Sequence, residues 1–161
     1  MKIYDIMKRQ VVFITTSASI DDATDLFIDK HIGTLPVVDA SGHPVGMLLL
    51  SDMLNLVMPD FVRLIEDFDF VHDFGAAESR KPSLEVLARP VVQVMQAPVF
   101  VEETSGLLRA FALLRQHGLH DLPVVATDGR LVGIVSRVDI GTALLLDWGT
   151  LSPHDQATKG E

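Results

Sequence analysis

Apolar residues in this chain come in short blocks, and their spacing changes period several times. The longest strand-like run is VGMLLL, Val45 to Leu50, far short of the roughly 18 residues of a membrane span. Ile20, Ala23, Leu26 and Phe27 recur at helical spacing, as do Leu107, Ala110, Phe111 and Leu114, so each set predicts one buried helix stripe. Ser19 with Asp22 three residues on forms a helix-start pair for the first. Gly33 and Gly118 fall near the two helix ends, where a left-handed turn favours glycine. Short apolar strands precede the helices, Val11 to Ile14 and Val99 to Val101. After each helix comes a hairpin, LPVV followed by VGMLLL or LVGIVS, with Ser41-Gly42 and Asp128-Gly129 as turns. Pro36 and Pro123 cannot donate to a ladder and are expected at a strand start or edge. The second hairpin strands are apolar on nearly every residue, which predicts burial on both faces. A helix closes each unit, around Asp52 to Val57 and Asp139 to Leu146.

The two units are copies. From Leu35 onward, Leu35/Leu122, Pro36/Pro123, Val37/Val124, Val38/Val125, Gly42/Gly129, Val45/Val132, Gly46/Gly133 and Asp52/Asp139 are identical at an offset of 87. Ala23/Ala110, Leu26/Leu113, Val12/Val99 and Phe13/Phe100 extend the match upstream, and Met7 pairs with Met95 at an offset of 88. The expected fold class is α+β: two βαββα repeats packed with pseudo-twofold symmetry, with an extra helical insertion between them. One unit of about 55 residues has a marginal core, so the two bury their sheets together and leave two quasi-equivalent clefts. Residues 1–57 are assigned to the first repeat, 58–90 to the insertion, 91–148 to the second repeat and 149–161 to a polar, frayed tail.

In the insertion, Phe61, Leu64, Ile65, Phe68 and Val71 follow Pro59 at helical spacing and predict an extra helix of about four turns. Phe61, Phe68, Phe70 and Phe74 are half of the chain's 8 phenylalanines. Such a segment covers either a dimer or partner surface or the chain's own core. Glu66, Asp69, His72 and Asp73 line one side of that helix, as a solvated face or as oxygen ligands for a hard divalent cation. The stretch GAAESRK from Gly75 reads as a loop, with Pro82 or Ser83 opening another helix.

Composition narrows the function. Among 161 residues there is no cysteine, which excludes a disulfide scaffold, a thiol nucleophile and a thiolate metal site. The opening MKIYDIMKRQ has no apolar signal region, so a cytoplasmic location is expected by elimination, with no membrane association. The net charge of −9 and the absence of a Lys/Arg stripe argue against nucleic-acid binding. No G-x-S-x-G, Walker, G-x-G-x-x-G or H-E-x-x-H motif is present. The six histidines, His31, His43, His72, His117, His120 and His154, show no metal-ligand spacing. The chain is therefore not expected to be an enzyme.

The doubled pattern LPVV-x-x-x-G-x-x-VG, ending in an aspartate that opens a helix, resembles the CBS domain, named after cystathionine β-synthase. The resemblance covers about Ile3 to Val57 and Val91 to Leu146. It implies a paired, Bateman-type module that senses a small molecule, commonly as a homodimer, and regulates a partner protein not identified by this sequence. The ligand it implies is an adenosine-type nucleotide or nucleoside (AMP, ADP or ATP), acting as a regulatory ligand rather than a required cofactor. By the same resemblance, Ser136 and Asp139 hold the ribose through hydrogen bonds to its diol. Arg137 and His120 reach phosphate, Val99 lines the pocket, and Asp52 is the weaker counterpart in the first repeat. There Leu49 replaces the hydroxyl residue and Gly33 stands at the His120 position. Asp121 stands where a basic residue often meets phosphate, and its charge disfavours a polyphosphate. Taken alone, Ser136-x-x-Asp139 also fits a plain helix-start pair. Two alternatives stand beside nucleotide sensing: a ligand-free dimerisation or interaction module, and a divalent-metal-responsive sensor built on the acidic insertion.

Overall fold

The computed structural model describes residues 1–69 and 71–149. It contains two three-stranded sheets, each wrapped by helices. The chain opens with a short helix α1 (Ile3–Ile6), then β1 (Ile14–Thr15), α2 (Ile20–Lys30), the hairpin β2 (Thr34–Val38) and β3 (Pro44–Leu49), and α3 (Leu50–Asn55). After the insertion come a one-turn helix α4 (Leu84–Leu87), β4 (Val101–Glu102), α5 (Leu107–His117), the hairpin β5 (Asp121–Val125) and β6 (Leu131–Ser136), and α6 (Arg137–Gly149). Sheet orders are β1-β2-β3 and β4-β5-β6, parallel then antiparallel in each. No helix among the described residues is long and apolar enough to cross a membrane.

The predicted helix stripes are buried. Ile20, Ala23 and Phe27 face one core, and Leu107, Ala110 and Leu114 the other, each large side chain contributing about 1.5–3 kcal/mol by leaving water. Ser19 and Asp22 form a reciprocal capping box at 3.1 and 2.9 Å. Gly42 and Gly129 take φ of 83° and 84° in matching turns. The leading strands are shorter and later than expected, since only Ile14–Thr15 and Val101–Glu102 pair with their neighbours.

Three expectations fail for physical reasons. Pro36 and Pro123 sit inside central strands, opposite Met47 and Ile134, not at a start or an edge. Met47 and Ile134 turn their backbone N–H and C=O away from the hairpin, to Gln96 and Lys8 respectively. Each proline therefore occupies a non-hydrogen-bonded pair, and the parallel neighbour begins pairing only one residue later, at Val37 or Val124. The missing N–H falls where no acceptor waits. At the end of α2 the left-handed residue is His31 (φ 49°), not Gly33, whereas Gly118 does cap α5 with φ 63°.

The four-turn helix of the insertion is absent. Asp60–Leu64 and Gly75–Ser79 form single 3-10 segments instead. Side chains of Asp67 and Asp73 capture the backbone N–H of Asp69 and Gly75 at 3.0 and 2.8 Å, offering the backbone a local alternative to a helix ladder. Leu64 is 81% exposed, so no core surface rewards an amphipathic stripe here. Glu66, Asp69, His72 and Asp73 consequently share no helix face, and no metal-holding group of three or more such side chains exists among the described residues. Phe74 packs against Phe61 and Phe68 at centroid separations of 6.1 and 6.4 Å; Phe70 lies outside the described residues, as does the tail expected over 149–161 apart from Gly149, which ends α6 instead. Ser83 caps α4 through the Val86 N–H.

The two halves exchange their leading segments. The segment before the first repeat docks on the second sheet: Ile3 and Tyr4 donate to Ser105 and Glu103, and Lys8 and Ile134 exchange both backbone bonds at 2.9 Å. The segment before the second repeat docks on the first sheet, where Gln96 and Met47 do the same at 2.9 and 3.0 Å. Ile3 and Met7 thus belong to the second core, and Val91 to the first. This exchange accounts for the glycine that both repeats carry in the second hairpin strand. A methyl at Gly46 would overlap Met95 Sδ, and one at Gly133 would lie 2.8 Å from the Lys8 carbonyl oxygen.

Candidate functional site

β6 runs into α6 without a loop, and the junction builds a polar cluster. The Ser136 amide and hydroxyl donate to Asp139 Oδ2 at 2.9 and 2.6 Å, and the Asp139 amide donates to Ser136 Oγ at 3.0 Å. This is a capping box at a helix N-terminus, where the peptide dipoles favour negative charge. The exchanged arm brings Lys8 Nζ to 3.6 Å from the same Asp139 oxygen. Partial burial pushes the Asp139 carboxyl up, but the Ser136 hydroxyl and amide and the Lys8 ammonium together hold it below the usual aspartate value. Asp139 is thus an ionised acceptor only 22% exposed.

The first repeat repeats the geometry with weaker chemistry. Leu49 has no hydroxyl, so Asp52 Oδ2 accepts only the Leu49 amide, at 2.8 Å. Gln96, on the other exchanged arm, donates to both Asp52 oxygens at 3.1 and 2.9 Å. Lys8 and Gln96 are equivalent at the offset of 88 that relates Met7 to Met95.

Two clefts open between the halves. One, of about 260 Å³, is lined by Lys8, Gln10, Val12, His31, Ile32, Gly33, Thr34, Asp121 and Ile134. The other, of about 330 Å³, is lined by Gly33, Thr34, Leu49, Leu50, Ser51, Gly118, Leu119 and His120. Between them the Thr34 hydroxyl donates to Asp121 Oδ2 at 3.4 Å. These are the same position in the two repeats, meeting at the pseudo-twofold axis. Burial raises the Asp121 carboxyl above its usual value; Thr34, His120 and Lys8 oppose that rise, and Asp139 adds to it.

The structure brings Ser136 and Asp139 together beside Lys8, a lining residue of the 260 Å³ cleft, while Ser136, Arg137 and Asp139 are themselves in the lining of neither cleft. Arg137 does not extend freely: its Nη2 donates to the Leu119 carbonyl at 3.0 Å and its amide to His120 O at 2.8 Å. His120 is exposed and lines the cleft that contains Leu49–Ser51 rather than the one with Lys8. Val99 lines neither cleft and packs against the second core, while its counterpart Val12 lines the cleft with Lys8. The arm exchange does not extend to these two valines, since Val12 packs against the first core and Val99 against the second. Sequence reasoning missed Lys8, Gln96 and Thr34. The one available signal was the Met7/Met95 match, which marks the arms as part of the repeat.

Among known families, the CBS domain matches residues 3–59 and 91–145. The protein MJ1404 of Methanocaldococcus jannaschii is 31% identical over 140 residues, 86% of this chain but only 31% of that protein's length. MJ1426 of the same organism is 31% identical over 156 residues, covering 90% of this chain and 92% of that one. The chloroplastic CBS domain-containing protein CBSX2 of Arabidopsis thaliana is 30% identical over 146 residues, 86% of this chain and 60% of CBSX2. The crystal structure of CBSX2 in complex with AMP superposes with a TM-score of 0.67 at 27% identity, covering 91% of this chain and 98% of that one.

Proposed function

The chain belongs to the CBS-domain family, and from that premise we propose that it is a non-catalytic regulatory module that binds an adenosine-type ligand in the cleft beside Asp139. The observation that carries this reading is the Ser136–Asp139 box at the N-terminus of α6. An ionised, partly buried carboxylate there can accept both hydroxyls of a vicinal diol. Lys8, 3.6 Å away, is positioned to trade its carboxylate partner for a phosphate. Val12 offers an apolar wall for a base. Support from outside the chain comes from CBSX2, whose structure holds AMP.

The charges near the cleft set the preference within this class. Asp121 and Asp139 stand against one lysine, so a monophosphate or an uncharged nucleoside fits better than a triphosphate. The first repeat, with Leu49 in place of a hydroxyl and Asp52 engaged by Gln96, is the weaker site. Binding at the Asp139 end engages Lys8 and therefore the arm clamped to Ile134, which links occupancy to how the two halves sit together. A partner protein reads that change, and the module works as a cytoplasmic homodimer. A ligand-free interaction role draws on a separate observation: Leu145, Leu146 and Trp148 on α6 are 57, 66 and 69% exposed, an apolar face suited to a protein contact.

Thermal unfolding with AMP, ADP, ATP and adenosine tests the reading. A ligand at about 100 times its dissociation constant adds about 2.7 kcal/mol, an upward shift of about 5–10 °C for a chain of this size. AMP or adenosine should shift wild type more than ATP does, and Asp139→Asn should lose the shift. If nucleotide-free protein responds to none of them, the interaction module becomes the better account.

A further inference from the structure

A further cavity lies between α2, α3 and the end of the insertion; it shares no lining residue with the cleft that holds Lys8 and only Leu50 with the other. It holds about 470 Å³, within the roughly 300–1,000 Å³ of small-molecule sites. Its wall is apolar, with Phe27, Met53, Leu54 and Leu87 among the lining side chains. Thr24 is in the wall too, but its hydroxyl donates to the Ile20 carbonyl at 2.9 Å. The remaining polar side chains of the lining are two adjacent cations, Arg80 and Lys81. In a chain of net charge −9, neither has an ion-pair partner among the described residues. The nearby acids are engaged elsewhere: Glu78 accepts from the Phe74 amide at 3.2 Å, and Glu85 lies 4.0 Å from Arg89.

The repeat shows that the fold does not require this cavity. At the equivalent positions of the second unit, Arg115, Arg137 and Gly141 replace Ile28, Leu50 and Leu54. The first unit instead leaves these three apolar side chains 64, 43 and 56% exposed around the cavity. An apolar groove whose lining carries two adjacent cations has the chemistry to take a single-chain amphiphilic anion. We infer that this cavity binds a fatty-acid-like monocarboxylate, with its alkyl chain along Phe27, Met53 and Leu54 and its carboxylate between Arg80 and Lys81. The site is independent of the nucleotide cleft.

Isothermal titration with octanoate, decanoate and dodecanoate, each below its micelle concentration, tests this. Affinity should rise about fourfold per added methylene. Arg80→Glu/Lys81→Glu alters only exposed side chains, so it should keep the wild-type unfolding temperature while weakening dodecanoate by about tenfold or more. Dodecylammonium should bind far less well than dodecanoate. Absence of saturable dodecanoate binding, equal binding of the ammonium, or indifference to the charge reversal would each overturn the assignment. So would a dimer in sedimentation that Leu54→Asp dissociates and dodecanoate leaves intact, since a second copy would then fill the groove.

Discussion

Replacing Gly46 and Gly133 with alanine, one at a time, tests the arm exchange that builds both clefts. The two positions are equivalent, and each lies under a methionine of an exchanged arm. At Gly46 the new methyl would overlap Met95 Sδ, with Met95 Cγ at 2.9 Å and Cε at 3.1 Å. All three are atoms of a flexible side chain that is only partly buried, so it can swing outward. At Gly133 the methyl would stand 2.8 Å from the Lys8 carbonyl oxygen and 2.9 Å from Met7 Sδ. That carbonyl accepts from the Ile134 amide at 2.9 Å, and Met7 is only 8% exposed. Relief there requires moving the backbone clamp. Overpacking costs about 1–3 kcal/mol, and the stiffer unfolded chain of the alanine variant returns about 0.4–1 kcal/mol. Gly133→Ala should therefore lose about 1–2 kcal/mol, a fall in Tm of about 3–6 °C, while Gly46→Ala stays within about 0.5 kcal/mol of wild type. Urea unfolding monitored at Trp148 and by circular dichroism measures both, and Met95→Ala should erase whatever Gly46→Ala costs. If Gly46→Ala proves the more damaging, the closeness of approach and not the mobility of the neighbour sets the cost, and the reasoning is wrong.

Further outcomes follow from the same geometry. Asp121 has a raised carboxyl, so its contribution is favourable below the ordinary aspartate range and lost as pH rises through its folded value. Asp121→Asn should accordingly raise Tm at pH 7, with the gain vanishing below about pH 4; a destabilised variant at pH 7 would contradict the sign. Ser136→Ala removes the hydroxyl of the α6 box and should lower stability by about 1 kcal/mol in urea titration, as should Ser19→Ala in the matching box of α2. His31→Gly relieves a left-handed residue at the end of α2 and should stabilise by about 0.5–1 kcal/mol, seen as a higher urea midpoint.

Much of the fold was legible because it is local. The Ser19–Asp22 box, the Gly42 and Gly129 turns and the helix stripes depend on residues a few positions apart, and the doubled sequence supplies the pairing of halves. The insertion was misread because apolar spacing specifies a helix only where a core waits to cover the stripe; Leu64 finds none, and Asp67 and Asp73 divert the backbone. At the site, Ser136 and Asp139 were legible for the same local reason. Lys8 was not, because it arrives by an exchange of arms between distant parts of the chain. Val99 stands in the second repeat beside Ser136 and Asp139, and nothing in its own neighbourhood reveals that it turns onto the second core while Val12 opens onto the cleft with Lys8.

For Asp139 as a proposed ligand acceptor the α2 box offers an internal control, since Asp22 is the same residue in the same motif and lines neither cleft. Calorimetric titration of AMP into nucleotide-free wild type, Asp139→Asn and Asp22→Asn separates a ribose contact from a helix cap. The account predicts saturable binding by wild type, undisturbed in Asp22→Asn and weakened about 10- to 100-fold in Asp139→Asn, the worth of one or two charge-assisted hydrogen bonds. Binding of equal strength in Asp139→Asn, or no binding to any form at millimolar AMP, would contradict it.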